Sequence, residues 1–225
     1  VADEDLIKGL AVAALVLELF VAACGDAPPQ VQTANVAQPA GPPARPYPED
    51  SAAWGDVHGR KARLRIPLPS PQAWTIDDTR EGDFRATQAE TRSSLVVRIE
   101  REPGLVNHKG CEARAEVLGL VPAHPLEPVE DTVTTGPDAF DTRVVVGVDA
   151  KSGDPASVKS GPLVGHVVAY GAYVRKCLFF HLSTEVPSAD DEATLSQRLA
   201  LTRVRMLAGL KLDELDSVPR EVEAP

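Results

Sequence analysis

The chain has 225 residues, 43% of them hydrophobic, enough for one core with appendages, while 20 prolines against 4% aromatics point to an extended stretch outside that core. Its 33 carboxylates against 23 basic side chains leave a net charge of −10, and the cations are scattered along the chain. Repulsion from a phosphate backbone therefore excludes a general nucleic-acid binder.

Taken in chain order, residues 6–23 read LIKGLAVAALVLELFVAA, an apolar run of signal-peptide length that ends at Cys24 and passes directly into Gly-Asp-Ala-Pro-Pro. The tetrad Val21-Ala22-Ala23-Cys24 resembles the lipobox of bacterial lipoproteins. Small side chains before the scissile bond fit a peptidase cleft, and the thiol is the nucleophile at hand for attaching lipid. The resemblance implies a signal peptide over residues 1–23, a diacylglyceryl group on Cys24 and a mature chain that begins there. An uncleaved membrane anchor is the alternative. Gly25 is not an inner-membrane retention signal in that scheme, so the implied address is the outer membrane, facing the periplasm or the cell surface.

Residues 24–52 carry prolines at 28, 29, 39, 42, 43, 46 and 48 and few branched aliphatics, which predicts a polyproline-rich linker. At roughly 3 Å per residue it would reach on the order of 70 Å. A PxxP docking motif at Pro39–Pro42 or Pro43–Pro46 is the sharper but less specific alternative.

The globular domain is expected over residues 53–218, followed by a tail at 219–225. Runs rich in β-branched or aromatic residues predict strands at 62–66, 74–76, 84–87, 95–100, 143–148, 164–170 and 174–182. A helix is predicted at 108–118, capped by Asn107 and stopped by Gly119, with Cys111, Ala115 and Leu118 on its apolar face. A second is predicted at 189–210 after an acidic start, with Leu195, Leu199, Thr202 and Met206 buried and Val204 and Leu207 widening the stripe. Strands outnumber helices without alternating with them, so the fold class is α+β: one domain with an antiparallel-rich sheet and two packed helices. The order of elements is similar to that of the PsbP/Mog1-like sandwiches, a resemblance of topology that implies no function.

With Cys24 given to lipid, Cys111 and Cys177 are expected to form a disulfide, as suits an exported protein. Two free buried thiols are the bland alternative. A zinc site made of His108, Cys111, Cys177 and His181 is the sharp one, and it meets a geometric objection. Four residues of extended strand separate Cys177 from His181 by about 13 Å, too far for one ion. No Cys-x-x-Cys, Gly-x-Ser-x-Gly, His-Glu-x-x-His or phosphate-loop pattern occurs, and His58, His108, His124, His166 and His181 are dispersed. The acidic run at 77–83 departs from a calcium loop and reads as a solvated turn. The proline-punctuated stretch 121–140 reads as a long connection, and a long ordered loop is the best candidate for a contact surface.

These features together predict a lipid-anchored envelope protein with a non-catalytic interaction or structural domain, bound to the membrane through Cys24 and to other envelope proteins, with no cofactor and no metal. The alternative is an exported protein that binds a small ligand or metal in a pocket lined by His166 or His181. An exported enzyme lacking any local motif is the third.

Overall fold

Two long, nearly all-apolar runs joined by a two-residue turn dominate the second half of the chain, and they become the centre of the sheet. The computed structural model describes residues 42–122, 126, 128–150 and 161–213. The signal peptide, Cys24, most of the linker, His124 and the tail at 219–225 lie outside the described residues. In chain order the strands are β1 (Trp54–Gly59), β2 (Leu64–Pro69), β3 (Thr75–Arg80), β4 (Asp83–Gln88), β5 (Ser93–Arg101), β6 (Pro128–Thr135), β7 (Asp141–Ala150), β8 (Leu163–Tyr173), β9 (Lys176–Val186) and β10 (Lys211–Leu212). The helices are α1 (His108–Val117) and α2 (Glu192–Leu201), the latter continued by a wider turn, Thr202–Leu207. The fold is α+β, with antiparallel sheets.

Seven strands pair in the order β3-β4-β5-β9-β8-β7-β6, and β1-β2-β10 form a separate small sheet. Alternation along β8 and β9 divides the core between two faces. Leu163, Val167 and Ala169 of β8 and Leu178, Phe180 and Leu182 of β9 point toward α2 and the small sheet, where Leu64, Ile66 and Leu68 of β2 complete the larger cluster. Val168, Tyr170, Ala172, Cys177 and Phe179 point to the other face and meet α1. Gly165 lets α2 lie close on β8, because a Cβ there would stand 2.8 Å from both Leu195 and Leu199.

Helix α1 forms where expected. The Asn107 side chain accepts a hydrogen bond from the Gly110 N–H at 2.8 Å, and Gly119 takes φ 66 just past the helix end. Leu195, Leu199, Thr202 and Met206 are all buried as predicted, whereas Val204 is 63% exposed and does not widen the apolar stripe. Even a regular helix turns Val204 about 180° away from Leu195, onto the face opposite the buried stripe, so its exposure follows from helical spacing.

Four expectations are corrected. The stretch 121–140 is not one long loop: Pro128–Thr135 is the edge strand β6, paired to β7, and its single proline occupies the first position, which an edge strand tolerates. The acidic run 77–83 is a hairpin in which only Glu81 and Gly82 make the turn. Asp78 in that run accepts hydrogen bonds from the Lys61 and Ala62 N–H groups at 3.0 and 2.9 Å. Val174 and Arg175 are the turn between β8 and β9 rather than the start of a strand, with Val174 at φ 54. Finally, packing begins ahead of residue 53: Tyr47 is 1% exposed and its hydroxyl bonds Ser93 Oγ at 2.8 Å.

Arg198 fastens that early segment to the domain. Its guanidinium is buried and donates to the carbonyl oxygens of Arg45, Thr91 and Glu185 and to the Thr184 hydroxyl. The same group lies 5.7 Å from the centre of the Tyr47 ring. The adjacent Gln197 holds Tyr47 by both backbone groups, accepting from its N–H at 3.0 Å and donating to its carbonyl at 2.8 Å.

Candidate interaction cleft

Helix α1 sits over β7, β8 and β9 because Cys111 and Ala115, one turn apart, are its only buried residues and meet the apolar face of β8 and β9. A disulfide joins Cys111 to Cys177 on β9, with the Cα atoms 5.4 Å apart and a sequence separation of 66. Beyond Gly119 the Leu120 N–H donates to the Ala115 carbonyl at 2.9 Å, and this returning segment packs Leu120, Val121 and Leu126 against the apolar cluster beneath the helix.

Between the helix, this returning segment and the sheet lies an open cleft of about 390 Å³. Val145, Val168 and Tyr170 form its floor, and Val121, Pro122 and Leu126 its outer wall. Glu112, Glu116, Asp131 and Arg143 supply the charge around it. Arg143 is shared between two walls. Its Nε and Nη2 donate to the two carboxylate oxygens of Asp131 at 2.9 and 2.7 Å, and its Nη1 donates to Glu112. Those hydrogen bonds hold the Asp131 carboxyl below the usual carboxylate range and push the Arg143 guanidinium above its own. Burial, reinforced by the nearby Glu112 charge, raises the Tyr170 phenol to about 12, so it stays protonated at neutral pH. Three carboxylates face one guanidinium, which leaves the cleft with an excess of two negative charges. On β6, Val133 lies opposite Arg143 in register and is 58% exposed, which extends the apolar surface to the open edge of the sheet.

The residues proposed for zinc are not brought together. Cys111 and Cys177 are consumed by the disulfide, and His108 is paired instead with Asp141, Nδ1 to Oδ2 at 2.8 Å. His58 likewise contacts Asp213 at 2.7 Å. Among the described residues no group of three or more His, Cys, Asp or Glu is placed to hold a metal ion, and no helix is long and apolar enough to cross a membrane.

His166 and His181, offered as lining a ligand pocket, do meet, but outside the cleft. In register they face Ser183 and Val168, so the two imidazoles are diagonal neighbours on β8 and β9. The rings stack with centroids 5.3 Å apart, and His166 Nδ1 lies 3.0 Å from His181 Nε2. Such a contact requires one nitrogen protonated and the other bare. Burial lowers the pKa of both rings; Asp149 partly opposes the shift at His166, while the His166 charge adds to it at His181, which falls to about 4.

Because the folded pKa lies below that of the unfolded imidazole, the unfolded chain takes up a proton that the folded one refuses. Stability is therefore complete above about pH 6.5 and declines as the pH falls toward 4. Between pH 7.5 and 4.5 His181 is expected to cost about 2–3 kcal/mol. Urea unfolding at the two pH values should show a smaller decline in His181→Gln, and an equal decline would remove the pair as its cause.

Sequence reasoning did not reach the floor of the cleft, since Val168 and Tyr170 are buried like other core residues and only Val145 is left half-buried. One signal was present. Arg143 is the single cation in the run TRVVVGV, and a charge inside a β-branched strand needs partners.

No family model matches the chain, and no curated protein sequence matches it. Among solved structures it is similar to the Ran-binding protein Mog1p of Saccharomyces cerevisiae, with 14% identity, a TM-score of 0.48, and 72% of this chain and 97% of that one covered. A Mog1 variant aligns with 13% identity and a TM-score of 0.46 over 71% and 95% of the two chains. A protein from Bacteroides thetaiotaomicron gives 12% and 0.36 over 71% and 48%. At these identities the likeness concerns the fold alone, and no function is taken from it.

Proposed function

We propose that this chain is a lipid-anchored cell-envelope protein whose α+β domain binds another envelope protein through the cleft lined by α1, by Val121, Pro122 and Leu126, and by β6 to β8. The observation that carries the reading is the cleft: an apolar lining in which Val145, Val121, Pro122 and Leu126 are half-buried, beside an open sheet edge and ringed by carboxylates in excess of cations. Its occupant is an extended segment of the partner that presents an apolar side chain to Val145 and Tyr170 and a lysine or arginine to Glu112, Glu116 and Asp131. The address rests on Val21-Ala22-Ala23-Cys24 and on the cysteine economy of the chain. A disulfide suits an oxidising compartment, and it uses two of three cysteines, leaving Cys24 for lipid.

Both halves are testable. Cys24→Ala should release the protein from membranes or leave an uncleaved precursor without acyl mass, whereas unchanged processing and anchoring would refute lipidation there. Val145→Arg, at a half-buried position on the floor, should keep the domain folded and weaken partner binding at least about tenfold, a loss of about 1.4 kcal/mol. Unchanged binding would move the contact elsewhere.

A further inference from the structure

The two edges of the seven-stranded sheet are guarded differently. At one edge, β3 carries Asp77, Asp78 and Arg80 among its six residues, and its register with β4 shifts between Asp77 and Arg80. The Asp78 carboxylate is also tied to the Lys61 and Ala62 N–H groups. Charges and an irregular ladder keep such an edge from pairing with another chain. At the other edge, β6 runs in unbroken register with β7 from Glu130 to Thr135, and no described strand pairs with its outer side. Residues 131–135 are all exposed and read DTVTT, β-branched at every position after the first, which favours an extended, pairing-competent strand. The two carboxylates of β6 do not guard it, because Glu130 is bonded to Arg203 and Asp131 to Arg143 of the same chain.

The ladder also sets which backbone groups face outward. The Gly136 N–H donates to the Phe140 carbonyl at 2.9 Å, in line with the register that pairs Thr134 with Thr142 and Thr132 with Val144. Hydrogen-bonded and non-bonded pairs alternate along an antiparallel ladder, so Gly136, Thr134, Thr132 and Glu130 turn their N–H and C=O groups toward β7. Asp131, Val133 and Thr135 consequently turn theirs to the open side, a donor and an acceptor at every second residue. Val133, the middle one of the three, is 58% exposed.

We infer that β6 pairs with β6 of a second copy of this chain, antiparallel about a two-fold axis through Val133, so that the two seven-stranded sheets join into one. The side chains of the strand are self-complementary in that register. Val133 lies on Val133 of the second copy, the Asp131 carboxylate faces the Thr135 hydroxyl, and Thr132 faces Thr134, so no like charges oppose each other. An axis at Thr132 instead sets the Asp131 carboxylate against the exposed Val133, and one at Asp131 sets two carboxylates face to face. With the axis at Val133, the outward groups of Asp131, Val133 and Thr135 meet those of Thr135, Val133 and Asp131, each pair exchanging two hydrogen bonds. The pairing uses β6 alone and needs no occupant in the cleft, so it goes beyond the interaction reading and stands or falls separately from it.

The test is sedimentation equilibrium of the purified full chain in a nonionic detergent, which masks the apolar run at residues 6–23, with sodium chloride at about 0.3 M to screen the net charge of −10 on each copy. A reversible monomer–dimer equilibrium is expected. Val133→Lys and Val133→Glu, at an exposed position, should each melt within about 2 °C of the parent. Each should dimerise at least about tenfold more weakly, since the axis sets the new charge against its own copy. An equal mixture of the two variants should recover dimers, because opposite charges then meet across the axis. Amide exchange at Val133 and Thr135, which needs no variant, should slow as the parent is concentrated. A parent that stays monomeric at about 0.5 mM, exchange that does not respond to concentration, dimers that both variants keep in full, or a mixture no more associated than either variant alone overturns the inference and leaves the edge to a strand of another protein.

Discussion

Arg198→Ala is expected to cost the domain about 3–5 kcal/mol, because it removes one buried guanidinium that serves four acceptors on three segments at once. The guanidinium is 1% exposed and donates to Thr91 O at 2.9 Å, Thr184 Oγ1 at 2.9 Å, Glu185 O at 3.0 Å and Arg45 O at 2.8 Å. None of these four acceptors is a carboxylate. Burial consequently lowers the guanidinium pKa from its ordinary value, yet so basic a group stays charged, and the neutral oxygens around it carry its solvation. Removing it leaves the carbonyls of Thr91, Glu185 and Arg45 without this donor and opens space beside the Tyr47 ring.

Arg198→Lys should recover part of the loss, since three ammonium donors cannot reproduce the planar fork that reaches both the Arg45 carbonyl and the β9 side. The same substitution frees the segment that carries Arg45 and Tyr47. Hydrogen exchange at Tyr47, whose N–H is held by Gln197, should therefore quicken together with the drop in urea midpoint. A loss below about 1 kcal/mol for the alanine variant would show that water replaces the guanidinium without penalty.

The second large effect is that of the disulfide. Joining Cys111 to Cys177 closes a loop of 66 residues, worth about 4 kcal/mol on the chain-entropy account. Reductant should lower the urea midpoint of the native protein accordingly and leave the Cys111→Ala/Cys177→Ala variant unmoved. The bond also holds α1, which buries only Cys111 and Ala115 and carries Glu112 and Glu116 into the cleft wall. Reduction should thus loosen the cleft before the rest of the domain, and partner binding should weaken at reductant concentrations where the far-UV spectrum is still native. Equal midpoints with and without reductant would contradict this role.

Much of the fold was legible because its central strands announce themselves. Residues 167–170 and 177–180 are apolar on consecutive positions and rich in β-branched and aromatic side chains, as in a strand covered on both faces, and α1 and α2 carry caps and stripes at helical spacing. The Cys111–Cys177 pairing followed from the same reading, with one cysteine on a helix face and the other in a central strand. The edges were harder. β6 begins with Pro128 and holds Glu130 and Asp131, and β1 reads WGDVHG, so propensity and composition argue against strands that the neighbouring β7 and β2 nonetheless pair. The charges on β6 are tolerated because Arg203 and Arg143 reach them from other elements, a fact invisible at the level of spacing.

Candidate sites were less legible than the fold for a related reason. Of the stretch 121–140 singled out as a candidate contact surface, Val121, Pro122 and Leu126 line the cleft, but removing 127–136 would delete an edge strand rather than a loop. The rest of the cleft comes from β7, β8 and α1, whose residues are far apart in sequence.

The most direct test of the account is photocrosslinking in living cells from a benzophenone side chain placed at Glu116 on the exposed rim of the cleft, with Val204 on the far face as the comparison. The account predicts a discrete adduct with one envelope protein from position 116, absent from position 204 and lost when Val145→Arg is added. Equal adducts from both positions, or an adduct from position 116 that survives Val145→Arg, would contradict it.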